Sequence, residues 1–279
     1  MKTYLDCLPC MMNQALRAGR LAINDEKLIK KLLDEIGDSI KNIALHDTPV
    51  QSGAIVYHRV KEITGIEDPY KEIKADSIKE ALELYPILER YIEESDDPVL
   101  TAIRIAIAGN VVDFGMDKKF NLKEDLAKIL FQDFGIFDYD EFKTQLSKAS
   151  CILYIGDNAG ESVFDKILIQ QLGVPVIYAV RGIPIINDVT ISDANDSGIN
   201  DVAKIVSSGT TAPGTILELC NASFRELFDS APMIISKGQG NFEGLSDANR
   251  QIFFLLKAKC HVIANHLGVN ENDIVLKAL

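Results

Sequence analysis

A carboxylate and an amide stand side by side at Asp157-Asn158, directly after the apolar run Cys151 to Ile155 and ahead of Ala159-Gly160-Glu161 and a helical stretch. At a strand end, two hard oxygen donors suit a divalent cation, and the small residues that follow leave helix N-terminal NH groups free for an anion. The pairing suits a metal plus a phosphate. Either residue could instead N-cap the helix. A second carboxylate, Asp188, follows the run Ile183-Pro184-Ile185-Ile186 within Asn187-Asp188-Val189-Thr190 and is expected at the same sheet edge. Asp157, Asn158 and Asp188 would then converge as three oxygen ligands with open positions, a set that fits Mg²⁺ or Mn²⁺ better than zinc. The competing reading of Asp188 is an Asx-turn. Asp193 and Asp196 read as exposed neighbours.

A third strand, Met233 to Ser236, delivers Lys237-Gly238-Gln239-Gly240-Asn241-Phe242-Glu243-Gly244. Glu243 stands where a dinucleotide G-x-G-x-x-G loop needs glycine, so that reading fails. A lysine in front of a glycine-rich loop suits the neutralisation of a phosphoryl oxygen, with loop NH groups beside it. The alternative is a solvent-exposed turn lysine. Ser207 to Gly214 either lines the same rim or forms an ordinary turn. In the N-terminal half, Arg104, Asn110 and Asp113 interrupt an apolar segment; buried polar groups must be paired, so these hold one another or face a cleft. Cys7-Leu8-Pro9-Cys10 has the spacing of half a zinc site, which Cys260 and His261 could complete as a second, structural metal site. Otherwise the cysteines pack as reduced thiols.

Two kinds of element must position these residues. Up to about residue 148 the pattern is helical: Met12 to Ile23, Glu26 to Leu45, Ser77 to Glu94, Pro98 to Ala108, Leu122 to Phe131 and Tyr139 to Ala149, with almost no strand signal. Within Ser77 to Glu94, Asp76 reads as the N-cap and Pro86 as a kink or a stop. From Ser150 short apolar runs at Cys151 to Ile155, Val174 to Val180, Ala203 to Val206, Met233 to Ser236 and Ile274 to Leu276 alternate with helical stretches at Glu161 to Leu172, Ile216 to Asp229 and His261 to Leu267. That alternation predicts βαβ units around a largely parallel sheet, where ligands bind outside the carboxyl ends of the strands. The expected α/β chain has an all-helical domain over 1–148 and a three-layer α/β/α domain over 149–279.

Composition narrows the function classes. The 279 residues are 47% hydrophobic and 25% charged, which excludes disordered and disulfide-scaffold chains. Lys and Arg total 29 against 41 Asp and Glu, a net charge of −12 that repels nucleic-acid phosphates and anionic lipid. No basic patch is segregated from it. Asp6 and Pro9 interrupt any signal-peptide core, and Arg104, Asn110 and Asp113 break the best candidate span. Five cysteines suit a reducing compartment, so a cytoplasmic chain without nucleic-acid or membrane partners is expected.

Taken together, Gly156-Asp157-Asn158-Ala159-Gly160-Glu161, Asn187-Asp188-Val189-Thr190, Lys237-Gly-Gln-Gly-Asn241-Phe-Glu243 and Gly109-Asn110-Val-Val-Asp113 resemble, in order and spacing, the metal-dependent damage-control phosphatases. That family was first catalogued as a domain of unknown function and is also named after a proposed acidic-residue carboxyl methyltransferase. Cys7-Leu-Pro-Cys10, Asp68-Pro69-Tyr70 and Lys259-Cys260 resemble its stand-alone prokaryotic branch. The resemblance implies a helical domain on an α/β/α domain and a divalent metal (Mn²⁺, Mg²⁺, Co²⁺ or Ni²⁺) on Asp157, Asn158 and Asp188. It also implies hydrolysis of small phosphorylated metabolites such as sugar phosphates or damaged nucleotide and cofactor phosphates. Asp157, Asp188 and Lys237 become the expected catalytic residues, and Asn110, Asp113, Gly160, Glu161, Gly238 and Asn241 the expected substrate contacts. With no nucleophilic Ser, Cys or His in a recognisable arrangement, direct attack by water is preferred over a phosphoenzyme. The competing readings are a phosphometabolite-binding protein without turnover and, further off, an S-adenosylmethionine-dependent carboxyl methyltransferase, in whose chemistry an oxygen-ligand triad has no evident task.

Overall fold

In the runs after residue 150, alternate side chains face opposite sides of one sheet, and both sides are buried. The structure, a computed structural model, describes residues 1–109, 128 and 130–279. Three helices, α1 (Cys7–Ala22), α2 (Glu26–Ile40) and α3 (Pro49–Thr64), precede α4 (Lys71–Glu93) and α5 (Pro98–Gly109). Then come β1 (Phe134–Phe137), α6 (Tyr139–Leu146), β2 (Ile152–Ile155), α7 (Glu161–Gln171), β3 (Val176–Val180), α8 (Ile191–Asp196) and β4 (Lys204–Ser207). The chain finishes with α9 (Ala222–Ser230), β5 (Met233–Lys237), α10 (Gly238–Leu245), β6 (Phe253–Lys257), α11 (His261–Leu267) and β7 (Ile274–Ala278). The strand order is β1-β7-β6-β5-β2-β3-β4, parallel at every neighbour except β6–β7.

Ile152, Tyr154, Tyr178, Ile235 and Leu255 face a core shared with α4, α5, α6 and α7. Leu153, Ile155, Ala179, Ile234 and Phe254 face the opposite core, filled by Phe224 and Phe228 of α9, Phe242 of α10 and Ile263 of α11. The period-2 pattern thus sorts into a three-layer α/β/α sandwich. Helices α1 to α3 keep a separate core around Met11, Ala15, Leu32 and Val56, which Ile185 joins from the sheet side. No helix among the described residues is long and apolar enough to cross a membrane.

Several local expectations are corrected. Phe134–Phe137 is a strand inside the stretch read as helical, paired with β7 at the sheet edge. α4 begins at Lys71, so Asp76 lies inside it rather than capping it. Pro86 also lies inside α4 without ending it. The carbonyl four residues back, at Leu82, loses its helical partner, but Leu82 is 41% exposed and water can serve. α3 escaped the pattern reading although its signals are present: Thr48 caps it in a capping box with Gln51, Pro49 opens it and Gly65 closes it in the left-handed region. Phe253–Lys257 is a buried strand that the run survey passed over. Ile183 to Ile186 is not a strand: Pro184 offers no NH to a ladder, Ile186 has φ 47°, and β4 holds the place beside β3. Most of Leu122 to Phe131 lies outside the described residues.

Candidate active site

Four segments meet at the carboxyl ends of β2, β3 and β5. Asp157 and Asn158 leave β2. The segment carrying Asp188 is stitched to them by backbone bonds from Val189 to the Asp157 carbonyl and from Ala159 to the Asn187 carbonyl, both 2.8 Å, with Asn158 and Asp188 paired as an isolated bridge. Asp188 therefore arrives as expected, though by a turn and not a strand. Neither Asp157 nor Asn158 caps α7, whose N-cap is Gly160 without a side-chain bond. Asp188 is no Asx-turn residue either: its Oδ2 accepts from Arg181 Nε at 2.5 Å and it is 3% exposed.

Arg181, absent from the sequence reading, ties this wall together. It follows β3 directly and is fully buried. Its Nη2 donates to Asp157 Oδ1 (3.3 Å) and its Nη1 to Asn241 Oδ1 (3.0 Å). Asn241 in turn donates to the carbonyls of Gly156 (3.0 Å) and Lys237 (2.7 Å), fixing the β2 and β5 strand ends against each other. Gly238, at φ 78°, lies so close under Asp157 that an added Cβ would sit 1.9 Å from Oδ2; only glycine leaves the carboxylate room.

Lys237 is placed differently from the expectation. It is 0% exposed, and its ammonium donates to Ala106 O (2.7 Å), Asp165 Oδ1 (2.7 Å) and Glu161 Oε2 (3.3 Å). An ammonium has three hydrogens, and all three are engaged. Lys237 therefore holds Glu161 and does not present its charge to the cleft. The loop expected after it is helix α10. Asp165, also missed, accepts from the hydroxyls of Tyr154 (2.7 Å) and Tyr178 (2.8 Å). The Asn158 amide nitrogen donates to Glu161 Oε1 (2.5 Å) and Asp157 Oδ2 (3.3 Å), which leaves its carbonyl oxygen as a ligand.

These bonds join four carboxylates, Asp157, Glu161, Asp165 and Asp188, to two cations, Arg181 and Lys237. Burial first, then the charges of Glu161 and Asp188, push Asp157 up to about 8. Burial likewise raises Asp188 and Asp165, against the pull of Arg181 and Lys237 respectively. Among the described residues these hydrogen bonds set four carboxylates against two cations.

A cleft of about 320 Å³ opens over this wall, lined by Asp157, Asn158, Gly160, Glu161 and Asp188 from the sheet side. Gln14 and Arg17 of α1, Ser77 of α4 and Lys259 line it as well. Arg17 Nε is buried without a hydrogen-bond partner among the described residues. Of the expected substrate contacts, Gly160 and Glu161 reach the cleft, while Gly238 and Asn241 brace it from behind; Asn110 and Asp113 lie outside the described residues. Arg104 turns away, donating to Gln132 O (2.5 Å) and stacking on Phe134 (4.5 Å). From the Ser207 to Gly214 segment, Pro213 lines the rim.

The Damage-control phosphatase ARMT1-like domain matches residues 3–275 of this sequence. The chain belongs to that family. The damage-control phosphatase PH1575 of Pyrococcus horikoshii is 35% identical over 282 residues, 99% of this chain and 97% of the relative. A damage-control phosphatase of Archaeoglobus fulgidus is 33% identical over 286 residues, 98% of each chain. The fold is similar to the crystal structure of the P. horikoshii protein, described as a DUF89 family protein, with a TM-score of 0.92 at 34% identity, covering 99% of this chain and 98% of that one. Membership supports phosphatase function.

The five cysteines are free thiols. Cys7, Cys10 and Cys260 do come together, with His261, around a second cavity of about 240 Å³ beside the cleft. Among the described residues no three His, Cys, Asp or Glu side chains are grouped as ligands of a metal ion, at these thiols or elsewhere. His261 instead pairs with Asp6 at 3.3 Å.

Proposed function

We propose that this chain is a divalent-metal-dependent phosphatase of small phosphorylated metabolites, working in the cleft over Asp157, Asn158 and Asp188. The observation that carries the reading is the convergence of the Asp157 and Asp188 carboxylates and the Asn158 carbonyl on one cleft, beside a network in which burial, ahead of the charges of Glu161 and Asp188, pushes Asp157 up to about 8. A divalent cation there would favour the ionised carboxylates, and the donors are the hard oxygens that Mg²⁺ and Mn²⁺ take, with Co²⁺ and Ni²⁺ as further candidates. Asp157 and Asp188 carboxylates with the Asn158 carbonyl would hold it. When bound, such an ion polarises the phosphoryl group as a Lewis acid.

The protein's own groups do the rest. Arg181 and Asn241 keep both aspartates in place before substrate arrives, so no reorganisation is needed at the moment of reaction. Arg17 from α1 and Lys259 from the rim past β6 supply cationic donors to the phosphoryl oxygens, and the uncapped N-terminus of α7 adds backbone NH groups. Water attacks phosphorus, the ester P–O bond breaks, and the proton lost by water passes to Asp157 or Asp188 while the leaving oxygen takes one from solvent. A cleft of about 320 Å³ sets the scale of the substrate at a small metabolite.

Phosphate release from sugar phosphates and nucleotides, with Mg²⁺, Mn²⁺, Co²⁺ or Ni²⁺ restored singly to stripped protein, tests the reading. Metal-dependent release that Asp157→Ala abolishes is expected; silence across all substrates and metals would leave a binding protein instead. Rapid quench that trapped phosphate on the protein would replace direct water attack by a phosphoenzyme.

A further inference from the structure

The second cavity opens out of the first: Gln14, Ile186, Pro213, Gln239 and Gly240 line both. The two compartments differ in chemistry. The cleft holds the linked carboxylates, Arg17 and Lys259, whereas the annex is walled mainly by Met11, Val50 and Val262 and by the thiols of Cys7, Cys10 and Cys260, with Glu243 as a carboxyl in its lining. Burial pushes the Cys7 and Cys10 thiols up, so they stay uncharged at neutral pH. The polar groups along the shared rim are already spoken for. Gln14 accepts from Tyr57 Oη (3.1 Å) and donates to Cys10 Sγ (3.4 Å), and Gln239 donates to Glu243 Oε1 (2.9 Å) while accepting from Lys259 N (3.2 Å). Asp6 and His261 answer each other at the mouth.

A phosphomonoester has an anionic end and a leaving group, and these two compartments sort them. We infer that the annex is the leaving-group pocket, and that the substrates are phosphomonoesters of an uncharged alcohol or phenol carrying about one ring of apolar surface. This rests on the phosphatase reading above. The size follows from volume: a dry apolar cavity of about 150 Å³ holds a benzene, and the annex, at about 240 Å³, accepts one ring with small substituents. The class excludes leaving groups that carry a carboxylate or further phosphates, whose charge would be desolvated against thiols and hydrocarbon.

Benzyl phosphate and methyl phosphate release alcohols of similar basicity and differ in the ring, so their kcat/KM ratio reads the annex. Burial of one ring predicts a ratio of about 30 in favour of benzyl phosphate. Cys10→Trp fills the annex from an exposed position and should bring the ratio toward one; Cys10→Ser, which keeps the volume, should retain it. A ratio near one in the unmodified protein, or one that Cys10→Trp leaves unchanged, overturns the assignment. If neither ester is hydrolysed while sugar phosphates or nucleotides are, the assignment is overturned; if no phosphate ester is hydrolysed under any metal, the phosphatase reading fails, and saturation-transfer NMR with benzyl alcohol on the full chain judges the annex by itself. Binding that Cys10→Trp removes supports it; no binding, or binding that survives, refutes it.

Discussion

Under the sheet side of the cleft the buried ionised groups are paired: Arg181 spans Asp157 and Asp188, Lys237 spans Glu161 and Asp165, and Asn241 ties the strand ends together. On the helix side Arg17 enters with a buried Nε unmatched among the described residues, while Lys259, just past β6, stands exposed at the rim. Strands held by neighbours on both edges can bury charge because the register fixes where each partner falls; a helix laid across the top need only deliver a donor. The sheet wall is thus set before any ligand binds, while the helix wall keeps its hydrogen-bonding capacity for one. Damage to the first should cost stability as well as activity, and damage to the second should cost affinity.

Lys237→Met breaks the more deeply paired side. It leaves Glu161 and Asp165 buried without their cation and should destabilise the fold by about 3 kcal/mol at pH 8. The loss should shrink toward pH 5 as Asp165, whose carboxyl burial raises, takes up a proton. Urea unfolding at the two values decides the matter, and an equally stable variant would show that the wall is not held by charge.

Arg17→Ala should leave the urea midpoint nearly unchanged and raise KM about 30-fold, the loss of one charge-assisted contact of about 2 kcal/mol. Arg17→Lys should recover part of it. A fall in kcat with KM unmoved would remove Arg17 from substrate binding and erase the contrast between the walls.

Glu243, in the lining of the annex, sharpens the contrast as a half-buried carboxyl with no ion pair among the described residues. Burial pushes it up to about 7, against a hydrogen bond from Gln239 and the distant N-terminal amine. An acid raised on folding favours the native state less as pH climbs from its unfolded value near 4.5 through 7. Glu243→Gln should therefore gain on the order of 1 kcal/mol over the parent at pH 8 and nothing at pH 4. Parallel stability curves for the two proteins would contradict this.

The sequence shows the oxygen donors of the site and hides the groups whose role depends on what another segment brings to them. Asp157, Asn158 and Asp188 stand out because each follows an apolar run, at a strand end for the first two and at a turn for Asp188, and the apolar spacing of His261 to Leu267 marks helix α11. Arg181 gave no such signal: a lone arginine after Val180 looks like any solvated turn, and only the arrival of Asp188 from another segment makes it a core residue. Asp165 and Arg17 lie mid-helix, where a charge reads as solvent-facing until the neighbouring layer is known. Lys237 was found by position and misjudged in direction, because whether a strand-end side chain points to the cleft or under it depends on α5 and α7 packing behind the sheet. Cys7, Cys10 and Cys260, candidate metal ligands in the sequence, are gathered by the fold around one cavity.

The central claim is that the sheet wall is completed by one divalent cation and then hydrolyses a phosphomonoester. Titration of Mn²⁺ into metal-stripped protein, with heat of binding and phosphate release followed in parallel, tests it most directly. One ion per chain is predicted, with turnover rising as the site fills and both signals lost in Asp188→Ala. Turnover at full rate in the stripped protein, or binding that Asp188→Ala leaves intact, would contradict the account.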